Sequence, residues 1–223
     1  LAALADTDLD RDEIETAFVG NVGGPADPQR GIVGQVALRE AGLTKLPILN
    51  VENACSSSST AVRTAYREIA AGLVDVAVVL GVEKMTGIPT EEVTSGLTTS
   101  GDVRRESRRG FTFPALYAMR AKAYAHEFGV DDDRLRAALT AIAVKNHGNA
   151  LANPTAHFSK AIDEDDLRTS PMIAEPLRLY DMCPNSDGAA AMVLAAAEVV
   201  DESDTITIDA SIHRTGAYDD PGA

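Results

Sequence analysis

The sequence reads LNVENACSSSSTAV over residues 49–62, an apolar segment followed by a cysteine and a run of serines. Its apolar beginning belongs to a predicted strand over residues 46–51, and a helix is predicted over residues 56–72. Cys55 lies between the two, where the helix begins. The inner face of the helix is expected to carry apolar side chains spaced three or four positions apart, namely Val62, Ala65, Ile69 and Leu73.

The position of Cys55 at the start of a helix favours chemistry at its sulfur. The first N–H groups of a helix lack partners within the helix and carry the positive end of its dipole. A thiol there ionises more readily, and the thiolate is the nucleophilic form. Free N–H groups can also stabilise an oxyanion beside an attacked carbonyl. The same residues also allow a structural interpretation, in which Cys55 is a small buried hydrophobic side chain.

Strands and helices alternate on both sides of this stretch. A strand is predicted over residues 16–22 and a helix over residues 29–41, with Gly42 as its C-terminal cap. Residues 74–81 form an apolar run rich in valine without alternation, which is typical of a central strand covered on both faces. This order predicts an α/β fold with a βαβαβ parallel-sheet core and right-handed crossovers.

The middle of the chain departs from this alternation. Residues 83–181 lack a strong strand signal but contain two helical segments, predicted over residues 115–128 and 131–146. Gly129 separates the two helices, and Asp131 is a predicted N-cap of the second. The pattern indicates a mostly helical domain inserted into the α/β core.

Strand signals return after the insert, over residues 188–195, which are small and expected to be tightly packed, and over residues 205–210. No strand precedes the first helix, so the chain is expected to be a fragment with an unprotected sheet edge. The predicted division is a core over residues 1–82, an inserted loop domain over 83–181, and a return to the core over 182–223.

The charge of the chain excludes nucleic acid as a partner class. The formal net charge is −14 and the pI is near 4.6, so little of the surface could neutralise phosphates. Lysine is scarce and aspartate is clustered. Two explanations remain open: an ordinary acidic enzyme kept soluble by self-repulsion, or a halophilic protein whose repulsion is screened by salt.

Other classes are excluded by what the sequence lacks. No apolar run is long enough to cross a bilayer, and no secretory signal is visible, so a membrane role is not expected. Cys55 and Cys183 cannot build a disulfide framework, which favours the cytoplasm. No metal-ligand spacing and no glycine-rich phosphate loop occurs.

Several motifs, in order along nearly the whole chain, resemble the thiolase family. The resemblance is to its archaeal branch, which is related to the sterol-carrier-type thiolases. The matching segments are NACSSSS (53–59) with GVEKMT (81–86), GFTFPALYA (110–118), VKNH (144–147) with NP (153–154) and HF (157–158), and PNSDGAAA (184–191).

The resemblance implies a fold of two similar α/β halves, of which this chain would supply the first with its inserted loop domain. It identifies Cys55 as the nucleophile. It also implies that the loop domain builds a coenzyme A pocket, whose acyl and pantetheine tunnel would be lined by Phe111, Phe113, Tyr117, Met182, Cys183 and Pro184. The alternative for each of these residues is that it packs the inserted domain and does not line a tunnel.

The resemblance also bears on His147, on Cys183 and on the catalytic residues of the second half of the fold. His147 lies at a helix end, where it either caps the helix or faces the pocket. Cys183 does not match the second cysteine of thiolases, because it precedes the PNSDG junction. That cysteine, the activating histidine and an asparagine come from the second half of the family fold, so this segment alone is expected to be inactive.

The reaction implied by the resemblance is acyl transfer between coenzyme A thioesters through an acyl-enzyme on Cys55, as in acetyl-CoA C-acetyltransferases. No cofactor is implied, because the thioesters are substrates. The implied partners are acyl-CoA, further copies in a homodimer or homotetramer, and, from archaeal relatives, a protein with an OB fold and a zinc ribbon. The alternatives are a ketoacyl synthase or aldolase on the same fold, and an incomplete acyl-CoA-binding subunit or scaffold.

Overall fold

The computed structural model describes residues 2–23, 31–201 and 206–215. The helices are α1 (Ala2–Ala5), α2 (Val33–Glu40), α3 (Ser57–Ala70), α4 (Thr90–Leu97), α5 (Phe113–Phe128), α6 (Asp132–Ala150) and α7 (Glu164–Thr169). The strands are β1 (Thr16–Gly20), β2 (Ile48–Val51), β3 (Val76–Glu83), β4 (Met172–Ala174), β5 (Leu177–Arg178) and β6 (Gly188–Ala195). Short 3-10 turns occupy Arg11–Glu13, Thr98–Ser100, Ser107–Arg109, Leu179–Asp181 and Ala197–Val199.

The chain divides into two compact units. The core unit comprises Leu1–Gly87 and Asp187–Ala223, and the inserted unit comprises Ile88–Ser186. The sequence predicted these boundaries before residue 83 and after residue 181. Each prediction is a few residues earlier than the boundary in the structure.

The core unit is built on a four-stranded sheet in the order β2-β1-β3-β6. β1 is parallel to both β2 and β3, and the predicted parallel α/β core is therefore confirmed. β6 pairs antiparallel with β3 along its whole length, from Val76 opposite Ala195 to Glu83 opposite Gly188. The first and last core segments of the chain are thus joined in one sheet.

β1 is covered on both of its faces. Ala17 and Val19 pack against α2 and its flanking residues, and Phe18 faces the other way, among Ala61 and Ala65 of α3. Because successive strand residues point to opposite faces, one five-residue strand serves both halves of the core. The predicted central strand is β3, whose first four residues are buried.

Helix α3 ends earlier than its apolar pattern predicted. Gly72 adopts a left-handed φ of 65°, and the N–H groups of Gly72 and Leu73 donate to the carbonyl oxygens of Ile69 and Glu68. This arrangement is a Schellman motif, which closes the helix and turns the chain. Leu73 is consequently 71% exposed, and its assignment to the inner helix face was wrong.

Two other sequence predictions about the return to the core need correction. β6 forms over the predicted residues, but its first five residues are exposed, so it is not tightly packed. Residues 206–210 form no strand, and Ile206 is 97% exposed. The alternating pattern of residues 206–210 was not sufficient for a strand, because no strand in the described part of the chain pairs with this segment. Residue 205, the first of the predicted strand, lies outside the described residues.

The inserted unit is mostly helical, as predicted. Asp131 caps α6 by accepting a hydrogen bond from the N–H of Arg134 at 2.8 Å, which confirms its N-cap assignment. Thr112 caps α5 in the same manner through the N–H of Ala115. The β4–β5 hairpin was not predicted from the sequence. Its strands are two or three residues long and flank a cis Glu175–Pro176 bond.

A buried ion pair organises the inserted unit. The guanidinium of Arg136 on α6 donates to both carboxylate oxygens of Asp181, at 2.9 and 2.7 Å. Asp181 also accepts from the N–H of Arg178 at 2.8 Å, and its side chain is only 3% exposed. Bidentate pairing with further hydrogen bonds is what makes burial of a carboxylate tolerable. The pair therefore ties α6 to the segment that follows the hairpin.

Candidate active site

A cavity of about 460 Å³ opens in the core unit at the carboxyl ends of β1 and β3. Its wall is formed by Gly20 at the end of β1 with the two residues that follow, the turn containing Cys55, the beginning of α3, residues 81–83 of β3 and residues 188–192 of β6. Open α/β sheets commonly bind ligands at the carboxyl ends of their strands. Cys55 lies in this wall, and its side chain is exposed. Its predicted role as a nucleophile is therefore compatible with access by a substrate.

The turn that carries Cys55 has an unusual backbone. Ala54 adopts φ of 47°, in the left-handed region that costs a non-glycine residue about 1–2 kcal/mol. Ser57 holds this conformation, since its hydroxyl donates to the carbonyl oxygen of Ala54 at 2.7 Å and accepts from the N–H of Asn53 at 2.8 Å. The side chain of Asn53 adds a bond to the Thr60 hydroxyl at 2.9 Å. The position of Cys55 is thus fixed from both sides of the turn.

The helix start differs from the sequence expectation in one respect. α3 begins at Ser57, so Cys55 lies one residue before the capping residue Ser56. The N–H groups of Ser56 and Ser57 donate to the carbonyl oxygens of Asn53 and Ala54 at 3.0 and 3.1 Å. The two N–H groups that follow Cys55 are therefore already paired, and the expectation that free helix N–H groups adjoin its sulfur does not hold for them.

Two glycines allow α3 to approach the sheet beside Cys55. A Cβ atom at Gly20 would lie 2.5 Å from the backbone N and Cα of Ser58, and one at Gly81 would lie 2.5 Å from the Ser58 hydroxyl oxygen. Cβ atoms do not approach other atoms this closely, so Gly20, which faces backbone, has no room for a side chain, whereas at Gly81 the Ser58 hydroxyl would have to move. The end of β1 thus meets the backbone of the first helical turn directly, and the end of β3 meets the Ser58 side chain.

A polar pair that was not predicted from the sequence, Asn21 and Glu83, lies in the wall of the cavity. The side-chain amide of Asn21 donates to the carbonyl oxygen of Val82 at 2.7 Å and to the carboxylate of Glu83 at 3.1 Å. The other carboxylate oxygen of Glu83 accepts from the N–H of Val22 at 2.8 Å. A sequence signal existed, because a polar residue directly follows each of two apolar strand segments, but it did not show that the two meet.

The aromatic candidates of the inserted unit are partly brought together. Phe111 and Phe113 are half-buried and contact each other edge to face, with ring centroids 5.2 Å apart. Tyr117 is 55% exposed, and the guanidinium of Arg120 lies 5.6 Å from its ring centroid. The tunnel-lining role of these three residues stays a prediction.

His147 lies inside the last turn of α6, which continues to Ala150. Its Nδ1 is 3.1 Å from the carbonyl oxygen of Lys160, so Nδ1 carries the proton in that hydrogen bond. Its ring also contacts Phe158 and Tyr180, with centroids 6.4 and 5.7 Å away. His147 therefore joins α6 to the segments that pack on it, and a role in a pocket stays a prediction.

Met182, Cys183 and Pro184 form a continuous segment after the last 3-10 turn of the inserted unit. Cys183 is exposed, and Met182 and Pro184 are half-buried. Near the end of this unit, the hydroxyl of Ser186 lies 3.0 Å from Nδ1 of His157, a contact that the sequence did not suggest. The binding roles of residues 182–184 stay predictions.

Residues 2–23, 31–201 and 206–215 contain no group of three or more His, Cys, Asp or Glu side chains that could hold a metal ion. In that same part of the chain, no helix is both long and apolar enough to cross a membrane.

The sequence matches known proteins along most of its length. The family model for the thiolase N-terminal domain matches residues 1–198. An acetyl-CoA acetyltransferase of Methanothermobacter thermautotrophicus is 35% identical over 97% of this chain and 55% of its own length. The benzoylsuccinyl-CoA thiolase subunit BbsB of Thauera aromatica is 34% identical over 98% of this chain and 55% of its own length. The chain thus spans about half the length of these relatives.

Solved structures share the same fold. An Ltp2-ChsH2(DUF35) aldolase superposes with a TM-score of 0.68 at 27% identity, over 89% of this chain and 49% of that one. The dimeric peroxisomal thiolase of Saccharomyces cerevisiae superposes with a TM-score of 0.60 at 19% identity, over 85% of this chain and 53% of that one. With its sheet, its inserted helical unit and its match over residues 1–198, the chain belongs to the thiolase family, in the N-terminal domain of that family.

Proposed function

We propose that the protein containing this chain is a thiolase-type acyltransferase, in which Cys55 carries the acyl group between two coenzyme A thioesters. The observation that supports this most directly is the exposed thiol of Cys55 in the wall of the strand-end cavity, on a turn held in a left-handed conformation. Backbone strain that is held in place by surrounding hydrogen bonds is concentrated at functional sites. The similarity to acetyl-CoA acetyltransferases suggests the same reaction class.

The proposed reaction has two half-reactions. The Cys55 thiolate attacks the thioester carbonyl of acetyl-CoA, a C–S bond to Cys55 forms, and the coenzyme A thiolate leaves and takes up a proton. A second acetyl-CoA loses a proton from its α-carbon, and the resulting carbanion attacks the acetyl-enzyme. The new C–C bond gives acetoacetyl-CoA and releases the Cys55 thiolate, so the reverse direction is thiolysis of a 3-oxoacyl-CoA.

This proposal assigns coenzyme A thioesters as substrates and no bound cofactor. Within the inserted unit, Phe111, Phe113, Tyr117 and residues 182–184 are the proposed contacts of the acyl and pantetheine groups. We also propose that the full-length protein forms a homodimer or homotetramer, since a related thiolase is described as dimeric. A partner subunit is proposed by analogy with the Ltp2-ChsH2(DUF35) aldolase.

The test is the site of acylation in the full-length protein. The protein is incubated with acetyl-CoA, quenched in acid and digested, and the acetyl mass is located by peptide sequencing in a mass spectrometer. The label is expected on the peptide containing Cys55, and it should disappear together with turnover in Cys55→Ala. Cys183→Ala is the matched control, because Cys183 is the other exposed cysteine and should leave the label in place. An acetyl group on Cys183, or full turnover in Cys55→Ala, would overturn the assignment.

A second candidate reaction is favoured by one specific observation. The Ltp2-ChsH2(DUF35) aldolase superposes with a TM-score of 0.68, against 0.60 for the peroxisomal thiolase, so a retro-aldol cleavage of a coenzyme A thioester is the competing activity. The two reactions differ in their need for coenzyme A as a co-substrate. Cleavage of a 3-oxoacyl-CoA that depends on added coenzyme A supports the thiolase reaction, whereas release of a free carbonyl product from a 3-hydroxyacyl-CoA supports the aldolase reaction.

A further inference from the structure

We propose that Asn21 and Glu83 are positioning residues for Cys55, acting through the ends of the three parallel strands. This inference rests on the proposed function of Cys55 and adds two residues to it. Both side chains lie in the wall of the same cavity as Cys55. Their role would be to fix the strand ends from which the cysteine turn departs.

Asn21 lies where the regular sheet ends. The strand pairing stops at Gly20, which is opposite Val51 on one side and Gly81 on the other. One residue later, the N–H of Asn21 still donates to the carbonyl oxygen of Val51 at 3.2 Å. Its side-chain amide makes the matching connection on the other side, to the carbonyl oxygen of Val82. Asn21 therefore extends both ladders beyond the point where the strands diverge.

Glu83 completes the connection between β1 and β3. Its two carboxylate oxygens accept from different parts of the β1 end, Oε1 from the Asn21 amide at 3.1 Å and Oε2 from the N–H of Val22 at 2.8 Å. Asn21 is only 6% exposed, and a buried amide that lost these partners would carry an unsatisfied donor. The Asn21–Glu83 pair is thus a polar connection with a definite geometry.

The connection reaches Cys55 through Val51. Val51 is the last residue of β2, and the turn of Glu52, Asn53 and Ala54 leads directly from it to Cys55. Because the N–H of Asn21 binds the Val51 carbonyl, a shift of Asn21 moves the point from which this turn begins. Displacements of about 1 Å at a reacting group can lower a rate by about 100-fold. The Asn21–Glu83 pair is accordingly expected to control how fast Cys55 is acylated.

The experiment compares the acylation rate of Cys55 in four variants of the full-length protein. Asn21→Asp removes both amide donors and places a carboxylate against Glu83, and the rate of acetyl transfer is expected to fall at least 10-fold. Glu83→Gln is milder, because one acceptor oxygen remains, and a smaller loss is expected. In the double variant Asn21→Asp with Glu83→Gln, the new amide can donate to the new carboxylate and still accept from Val22. The Val82 carbonyl oxygen still lacks its donor, so a partial recovery of at least about 2-fold relative to Asn21→Asp is expected.

The matched control is Asn50→Asp. Asn50 lies on β2 of the same sheet, donates its amide to Gln35 at 2.8 Å, and is not part of the cavity wall. The same chemical change there is expected to leave the acylation rate within about 2-fold, because Asn50 is exposed and its Oδ1 acceptor for the Gly34 N–H is retained. A purely structural role for Asn21 would give the same pattern in both variants, so the comparison separates stability from positioning.

Two further readouts decide the outcome. For a positioning role, kcat should fall while KM for the acyl-CoA stays nearly constant, in samples whose melting curves show that they are folded at the assay temperature. Wild-type rates in folded Glu83→Gln and Asn21→Asp, or no recovery in the double variant, would overturn the inference. Absence of any acetyl group on Cys55 in the wild type would instead overturn the proposed function, so the two failures are distinguishable.

Discussion

Lys84 and Asp187 form an ion pair between the residue at which the chain leaves β3 and the residue that precedes β6, with Nζ and Oδ2 separated by 2.5 Å. The carboxylate of Asp187 also accepts from the N–H groups of Met85 and Thr86 at 2.7 and 2.8 Å, and from the Thr86 hydroxyl at 2.6 Å. One carboxylate therefore joins the outgoing and returning segments of the core unit. The four donors all favour its charged form.

The ionisation of Asp187 predicts a specific dependence of stability on pH. The Lys84 ammonium beside Asp187 holds the pKa of that carboxyl well below its usual range, and the Thr86 hydroxyl and the two N–H groups add to the effect. A folded-state pKa below the unfolded value of about 3.9 stabilises the fold above that pH, and the stabilisation is lost as the pH falls toward the folded-state pKa. Asp187→Asn should melt below the wild type at pH 6, and the difference should shrink below pH of about 4.

The control for this prediction is Glu175→Gln. Glu175 forms an exposed ion pair with Lys122 at 3.0 Å, a class of interaction that contributes little to stability. Its melting temperature should differ little from that of the wild type at either pH. A difference in melting temperature between the wild type and Asp187→Asn that stays constant from pH 6 down to pH 3 would contradict the proposed ionisation.

The glycines beside Cys55 predict a selective rescue. Gly20→Ala should lower the free energy of unfolding by about 1–3 kcal/mol, because its Cβ would meet the backbone of Ser58. Gly81→Ala meets the Ser58 hydroxyl instead, which can be removed. Adding Ser58→Ala should therefore restore part of the stability lost in Gly81→Ala and none of that lost in Gly20→Ala. Urea unfolding of the four variants measures this difference.

Gly148, which has no close neighbours of this kind, serves as the reference position for the glycine substitutions. Gly148 lies in α6, and a Cβ there would have no atom within 4 Å. Gly148→Ala is expected to raise the free energy of unfolding by up to about 1 kcal/mol through helix propensity. Equal losses of stability at Gly20, Gly81 and Gly148 would show that the close approach of Ser58 is not the cause.

The buried ion pair of the inserted unit predicts a large effect from a small change. Asp181→Asn leaves the Arg136 guanidinium without its carboxylate, and the expected cost is about 3 kcal/mol, the low end for buried pairs, because Arg136 is 28% exposed. Limited proteolysis should detect earlier cleavage within residues 88–186. Asp165→Asn is the control, since its pair with Arg168 is exposed, and it should change the cleavage rate little.

The acidic composition predicts stabilisation by salt. With a net charge of −14, repulsion within the folded protein should weaken as the Debye length falls from about 10 Å at 0.1 M to about 3 Å at 1 M salt. The melting temperature of the full-length protein is expected to rise by several degrees or more between dilute buffer and 2 M potassium chloride. Chloride is used because sulfate stabilises proteins by exclusion. A melting temperature independent of chloride would leave ordinary acidity as the explanation.

Features encoded by local sequence could be predicted well. The strand, turn and helix around Cys55, the break between two helices at Gly129 and the N-cap at Asp131 each depend on a few adjacent residues. The apolar run without alternation also predicted that β3 is covered on both faces. Backbone conformation and hydrogen bonding at these places are decided within one or two turns of chain, so the sequence contains the necessary information.

Features that depend on distant partners could not be predicted. The Asn21–Glu83 bond joins residues 62 positions apart, and the Arg136–Asp181 pair joins residues 45 positions apart. The β4–β5 hairpin is too short to show alternation. For residues 206–210 the alternation was present, but strand formation also requires a neighbour with free hydrogen-bonding groups. The candidate nucleophile was therefore visible in the sequence, whereas the side chains that hold its surroundings were not.

The contact of Gly20 and Gly81 with Ser58 also bears on how this protein can diverge. Where a helix rests on side chains, each exchange of valine for leucine or isoleucine in the core changes the spacing and displaces the helix. Here backbone touches backbone at Gly20, so the first turn of α3 is held at a distance that no core side chain sets. Core substitutions under the later turns of α3, where Ala65 and Ile69 pack on the sheet, are therefore expected to displace that end of the helix more than the end next to Cys55.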